Sequence, residues 1–200
     1  MVAMVSSRTE DERVVLNDVD WDRFEMLLTV RGDRSQPRVA YLDGVIELMS
    51  PSLDHERIKS RIGCLLETYL YELGIMFETF GSWLVKQRSG AAGAEPDECY
   101  LIGDVPRLPA PTHPDLAIEV VWTSGGIDKL EIYRRLQVPE VWFWIDGAIV
   151  VHVLTRAGYV QQPRSRCLPA LDLELLCHLL ELPTPNEGIR ELRAALARQH

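Results

Sequence analysis

Residues 115–122 read DLAIEVVW, and the other elements of the chain can be arranged around them. A short run of apolar residues, several of them β-branched, is typical of a strand buried in the middle of a sheet. Glu119 is the only charged residue between positions 116 and 121. Because burying an ionised carboxylate is costly without a cation, a metal or a proton, Glu119 is predicted to have a partner.

Helix and strand patterns alternate on both sides of this strand. Apolar residues at helical spacing predict a long helix over residues 54–73, and Asp43-Gly44 and Asp146-Gly147 predict two hairpins. Further helices are expected near residues 20–28, 124–136, 171–182 and 186–197, and a loop at residues 89–94. This order predicts an α/β (α+β) fold in which helices flank a mixed sheet.

The length of the chain limits its domain organisation. A chain of 200 residues has room for one globular domain with a small appendage. We expect a polar, loosely ordered N-terminal segment at residues 1–15, the main domain at residues 16–165, and a C-terminal helical extension at residues 166–200 packed on that domain.

Targeting signals and cysteine usage indicate the compartment. The N-terminal residues lack the apolar core of a signal peptide, and no apolar run approaches the ~18 residues of a membrane span. The four cysteines lie far apart and form no Cys-x-x-Cys pair, which fits a reducing environment. We therefore expect a cytoplasmic protein without membrane association.

The charge balance restricts the partners. The 21 basic and 30 acidic residues give a net charge of −9. Diffuse, non-specific binding to nucleic acid or to an anionic membrane is therefore not expected. Any polyanion that the chain binds must meet a local basic patch or a bound metal.

Two more carboxylates interrupt predicted strands. Glu47 lies within VIELM at residues 45–49, and Asp97 follows Pro96 at the start of another apolar segment. Two interpretations stay open for such residues. Each carboxylate pairs with an arginine or reaches water at a strand end, or the carboxylates converge with Glu119 on a shared cation.

Lys129 lies within the apolar stripe of a predicted helix. It precedes Ile132, Tyr133 and Leu136 at helical spacing, so its side chain either points toward the sheet or escapes to solvent at the domain edge. Carboxylates and a lysine, without a Cys/His metal set, are typical of Mg²⁺ chemistry on a phosphate. There the lysine can orient the attacking water and stabilise negative charge.

With these motifs the chain resembles the Uma-two family, which belongs to the restriction-endonuclease-like PD-(D/E)xK superfamily. The resemblance covers about residues 21–159 and is carried by YLDGVIELMSP at 41–51, EPD at 95–97, PDLAIEV at 114–120, Lys129 with Tyr133, and VPEVW at 138–142. It implies a restriction-endonuclease-like curved mixed sheet flanked by helices, and Mg²⁺-dependent cleavage of phosphodiester bonds.

The resemblance also implies roles for four residues. Asp97 would be the acid of the PD element, Glu119 the acid of the (D/E)xK element, and Glu47 an additional acid, all three as metal ligands. Val121 stands where the motif has its lysine. The lysine role passes to Lys129 as a hypothesis about a migrated side chain.

Three other positions are candidates with two interpretations each. His55 either contacts phosphate or an attacking water, or helps to cap the long helix. Asp115 is either an additional ligand on the strand of Glu119 or a loop residue. Ser124-Gly125-Gly126 either binds an anion at a helix N-terminus or simply caps the helix.

The resulting hypothesis is a Mg²⁺-dependent endonuclease, with Mn²⁺ able to substitute, that acts on nucleic acid and favours DNA over RNA. A homodimer is expected because a symmetric pair cuts two strands more easily. The alternative is a catalytically inactive restriction-endonuclease-like domain that serves as a binding or interaction module, which the acidic net charge favours. A glycosidase that uses a carboxylate pair has no positive support in the sequence.

Overall fold

The strands of the chain form two sheets. The computed structural model describes residues 10–107, 109–121 and 126–198. In chain order its strands and α-helices are β1 (Glu12–Leu16), α1 (Trp21–Arg31), β2 (Arg38–Leu42), β3 (Val45–Ser50), α2 (Leu53–Glu72), β4 (Phe77–Thr79), β5 (Val85–Gln87), β6 (Ala92–Ala94), β7 (Glu98–Ile102), β8 (Leu116–Val121), α3 (Lys129–Arg135), β9 (Glu140–Ile145), β10 (Ala148–Thr155), β11 (Gly158–Gln162), α4 (Leu173–Glu181) and α5 (Pro185–Ala197).

The first sheet, sheet A, has the strand order β1-β3-β2-β6-β5 and is antiparallel. The second, sheet B, has the order β11-β10-β9-β8-β7-β4, and only its β8–β9 pair is parallel among the described strands. The predicted fold class, a mixed sheet with flanking helices, is confirmed, although the strands are divided between two sheets. Residues 95–97 make the short passage from β6 in sheet A to β7 in sheet B.

β8 is the central strand that the sequence predicts. All its residues except the last are buried, and its two faces pack against different helices. One face joins α2, α4 and α5 in the largest apolar cluster, and the other lies toward α3. The sequence at 116–121 is apolar on both faces apart from Glu119 for this reason.

Both predicted hairpins are confirmed. Asp43 and Gly44 have φ angles of +46° and +89°, and Asp146 and Gly147 have +49° and +86°. Two successive left-handed residues produce the turn whose twist matches a two-residue hairpin, and the Asp-Gly pair tolerates that conformation best.

Helix α2 begins one residue before its predicted start, because the Ser52 side chain accepts a hydrogen bond from the backbone N–H of His55. Helix α3 begins later than predicted. It starts at Lys129, where the Asp128 side chain accepts a hydrogen bond from the backbone N–H of Glu131. The proposed cap at Ser124-Gly125 lies outside the described residues.

Two segments differ from the expectation. Residues 12–16, most of which belong to the segment 1–15 that was expected to be loosely ordered, form β1 at the edge of sheet A. Residues 92–94, expected in a loop, form β6 between β2 and β5. β1 pairs with β3, and β6 pairs with β2 as well as with the nearby β5, so each strand has partners distant in sequence that a local pattern does not reveal.

The last two helices of the described chain, α4 and α5, pack on α2 and on each other. α5 lies against α2 and α4, and a capping box between Thr184 and Glu187 starts it.

No helix within the described ranges is long and apolar enough to cross a membrane.

Candidate active site

A pocket of about 370 Å³ lies between the two sheets and the segment that leads into α3. We call it the intersheet pocket. Its lining residues are Arg13, Glu47 and Met49 of sheet A, Glu119, Val120, Val121, Phe143, Ile145 and His152 of sheet B, and residues 126–130. Three of the four predicted catalytic residues, Glu47, Glu119 and Lys129, therefore face one space.

Glu119 and Lys129 are in direct contact. Lys129 Nζ donates a hydrogen bond to Glu119 Oε1 over 3.0 Å. Glu119 is buried, and the Lys129 side chain is 19% exposed. Of the two interpretations of Lys129, the structure supports the side chain that points to the sheet, because the first turn of α3 places it over β8.

Tyr133 is a second donor to the same carboxylate. It lies one helical turn after Lys129, is fully buried, and its hydroxyl donates a short hydrogen bond to Glu119 Oε1. Burial, with the neighbouring Glu119 charge, raises the pKa of Tyr133 well above its ordinary value, so the phenol keeps its proton. Within the described chain both donors use Oε1, so Oε2 remains able to accept from a water or a cation.

Glu47 reaches the pocket from the other sheet. It lies on β3 between β1 and β2, opposite Val15 and Ala40. Its Oε2 accepts a hydrogen bond from the backbone N–H of Ile127 over 3.2 Å. Gly126 lies so close that a Cβ there would be 2.4 Å from this oxygen. The segment before α3 therefore holds the Glu47 carboxylate in place.

Asp97 has different neighbours. Its side chain is buried, forms an ion pair with Arg38, and accepts a hydrogen bond from the backbone N–H of Val120 over 2.6 Å. Arg38 also pairs with Glu56 at 2.6 Å. Asp97 is not among the residues that line the intersheet pocket. Its observed contacts are those of the first interpretation, a carboxylate paired with an arginine.

His55 lies between two carboxylates. Its Nε2 is 3.0 Å from Asp97 Oδ2, and its Nδ1 is 3.0 Å from Asp11 Oδ2. The ring is completely buried, and Ser52 is the residue that caps α2. The imidazole thus links the strand-crossing segment to the residue before β1, away from the lining of the pocket.

Asp11 itself is strongly held. Burial opposes ionisation, yet hydrogen bonds from His55 and from the backbone N–H of Ser52 outweigh it and lower the pKa of Asp11. An ionised Asp11 therefore anchors the start of β1 to the N-terminus of α2.

Asp115 belongs to another part of the molecule. Its carboxylate forms a double contact with Arg107 and accepts the backbone N–H of Ile102. It precedes β8, roughly 13 Å along the chain from Glu119. The structure does not bring it to the intersheet pocket.

Sequence reasoning missed three polar residues of the pocket, Arg13, Asp128 and His152. His152 alternates with buried valines in β10, and the buried Nδ1 of its ring has no hydrogen-bond partner within the described chain. Burial lowers the pKa of His152. The alternation in VVHVL was the available signal for His152, whereas Arg13 depends on a strand that the sequence did not reveal.

The side chains that line the intersheet pocket meet the requirements of a metal ion only in part. Among the described residues no group of three or more His, Cys, Asp or Glu side chains is arranged to hold one. Two carboxylates, Glu47 and Glu119, do line the same pocket. Mg²⁺ is commonly bound by one or two carboxylates with waters and substrate phosphates, so this pair meets its minimum requirement.

Comparisons with known proteins place the chain in context. A family model described as "Uma2: Putative restriction endonuclease" matches residues 21–184. A solved structure described as "a putative nuclease belonging to DUF820 from Anabaena variabilis ATCC 29413" is similar, with a TM-score of 0.50 and 14% identity over 87% of this chain and 99% of that chain. No curated protein matches the chain. At this identity the structural similarity establishes the fold.

Proposed function

This chain belongs to the Uma2 family, as its motifs predict, and from that premise we propose that it is a nuclease that hydrolyses phosphodiester bonds. One observation carries the proposal: Lys129 contacts Glu119 at the wall of a pocket that also contains Glu47. The description of the family and that of the similar solved structure support the same reaction class.

Glu47 and Glu119 are the proposed ligands of one Mg²⁺ ion, for which Mn²⁺ can substitute. Such an ion, when bound, lowers the pKa of a water and offsets negative charge on the phosphate. We leave Asp97 out of this proposed pair because it contacts Arg38 and His55 and does not line the intersheet pocket. Asp97 instead supports β8 through its hydrogen bond with Val120.

Lys129 has two tasks in the proposed reaction. Its ammonium orients the attacking water and stabilises the negative charge that develops on the phosphate oxygens. The contact with Glu119 fixes the position of Nζ, so little reorganisation is needed during the reaction. Tyr133 retains its proton and holds the Glu119 carboxylate by donating to Oε1.

The substrate is proposed to be DNA rather than RNA, because the family description names restriction endonucleases. A homodimer would present two such sites to the two strands of a duplex. Dimerisation and a cytoplasmic location stay predictions.

A plasmid-nicking assay tests the proposal, with Mg²⁺, with Mn²⁺ and with a chelator. We expect nicking only with a metal, and a loss of at least about a hundredfold in Glu119→Gln and in Lys129→Met. Lys86→Met is the matched control, because Lys86 pairs with Glu25 at the surface of another region. Equal nicking by all four proteins would remove the proposed mechanism.

A second candidate function is the inactive binding module, and the buried ion pair of Asp97 with Arg38 favours it. Metal titration separates the two candidates. A working site gains thermal stability with Mg²⁺ or Mn²⁺, since ligands that bind the folded state raise its melting temperature. That gain should disappear in Glu47→Gln. A wild-type protein without any gain and without nicking would support the binding module.

A further inference from the structure

β1 lies outside the segment that the family model matches, yet it contributes to the pocket. Arg13 of β1 is paired in register with Met49 of β3, and Val15 is paired with Glu47. Residues opposite each other on paired strands, and residues two apart on one strand, lie on the same face of the sheet. Arg13 and Glu47 are therefore diagonal neighbours on the face that lines the intersheet pocket.

The position of Arg13 is defined by its surroundings. Its Nη2 lies 3.9 Å from Asp11 Oδ2, and its side chain is 22% exposed. A Cβ on Gly126 would be 3.3 Å from Nη1, so the guanidinium lies against the segment before α3. Asp11 is in turn held by Ser52 and His55. The Arg13 guanidinium thus lies at the pocket, on a strand that is anchored through Asp11.

The charged residues that line the pocket indicate what Arg13 can bind there. The acidic lining residues are Glu47, Glu119 and Asp128, and the basic ones are Arg13 and Lys129. The whole protein carries a net charge of −9. A phosphodiester anion that approaches these carboxylates is repelled unless cations face it, and a guanidinium matches two phosphate oxygens at once.

We propose that Arg13 is a substrate-binding residue, which β1 brings to the intersheet pocket to bind a backbone phosphate of the nucleic acid beside the one that is cleaved. This inference rests on the proposed nuclease function and extends it to a residue outside the matched family segment. Lys129 serves the reacting phosphate, and Arg13 serves its neighbour on the strand.

Binding measured apart from cleavage tests the proposal. In a Glu119→Gln background, the affinity for a short labelled duplex DNA is followed by fluorescence anisotropy over a range of salt concentrations. Arg13→Gln should weaken binding about tenfold and reduce the slope of log Kd against log salt by about one, because one phosphate contact is lost. Arg13→Lys should restore the slope and part of the affinity.

The matched control is Arg23→Gln. Arg23 is 69% exposed on α1 and its ion pair with Asp20 is a surface pair, so both affinity and slope should stay unchanged. If Arg13→Gln loosens β1 and does not fold, Arg13→Lys in the otherwise wild-type protein serves instead, with an expected rise in KM at constant kcat.

The outcomes separate this inference from the proposed function. Unchanged affinity and salt slope in Arg13→Gln, or an unchanged KM in Arg13→Lys, would overturn the role of Arg13 while nicking by the wild type continues. A wild-type protein that neither binds nor nicks nucleic acid would overturn the nuclease function and the role of Arg13 with it.

Discussion

His55 Nε2 lies 3.0 Å from Asp97 Oδ2 in a fully buried contact, on the carboxylate that the family resemblance implies as a metal ligand. Asp97 also pairs with Arg38 and accepts a backbone hydrogen bond. These contacts make Asp97 part of the support between the two sheets. Replacing Asp97 should therefore lower the free energy of unfolding above all.

Asp97→Ala should lower the free energy of unfolding by about 3–5 kcal/mol, because it leaves the buried Arg38 guanidinium without this partner. Urea denaturation of the metal-free protein measures the change. Asp22→Ala is the control, since Asp22 forms an exposed ion pair with Arg88 and should cost less than about 1 kcal/mol. If Asp97 were instead held ready as a metal ligand, Asp97→Ala would leave the free energy of unfolding unchanged or raise it.

Tyr133→Phe should reduce kcat severalfold, because Glu119 loses one of its two donors on Oε1. Stability should fall by about 1–3 kcal/mol through the buried carboxylate that is left less satisfied. Tyr159→Phe provides the comparison. It removes a hydroxyl that donates to the carbonyl of Val138 over 2.6 Å, outside the pocket. Similar kinetic losses in both variants would argue against a specific role of Tyr133.

His152 should make the protein less stable as the solution becomes acidic. Burial lowers its pKa in the folded state, so below the ordinary value of about 6.5 the unfolded chain takes up the proton first. This destabilising contribution of His152 is absent above that pH and grows as the pH falls toward the pKa of His152 in the folded state. Melting temperatures between about pH 7 and pH 5 should fall more in the wild type than in His152→Gln. If the melting temperatures of the wild type and His152→Gln changed with pH in parallel, the pKa of His152 would be the same in the folded and unfolded states.

Gly126→Ala should impair activity through Glu47. The added Cβ would lie 2.4 Å from Glu47 Oε2, so the carboxylate or the segment before α3 must move. We expect a loss of the Mg²⁺-dependent gain in melting temperature and at least about tenfold less nicking. Gly158→Ala isolates backbone strain, because Gly158 also has a positive φ, +117° against +129°, but no atom near its would-be Cβ. Equal losses in both variants would leave the contact with Glu47 unsupported.

Local sequence patterns predicted the fold class and part of the pocket. The hairpins follow from Asp-Gly pairs, and the helical spacing of Lys129 gave its contact with the sheet as one of two interpretations. Each of these depends on neighbours in the chain. The sequence therefore contains enough information for them.

The remaining features depend on partners distant in sequence. Arg38 meets Asp97 only because β2 is brought beside the passage between the sheets. Arg13 reaches the pocket only because β1 pairs with β3. Eighteen arginines were candidates for such pairing, and composition alone could not choose among them. Long-range strand pairing decided which ones face a carboxylate.

The passage of residues 95–97 connects β6 of sheet A to β7 of sheet B. Glu95, at one end, is clamped by Arg31 at 2.5 Å, and Asp97, at the other, by Arg38. Because breaking a buried ion pair is strongly destabilising, a shift of either end of this passage would be costly. We therefore expect this connection between the two sheets to be a fixed point of the fold rather than a hinge.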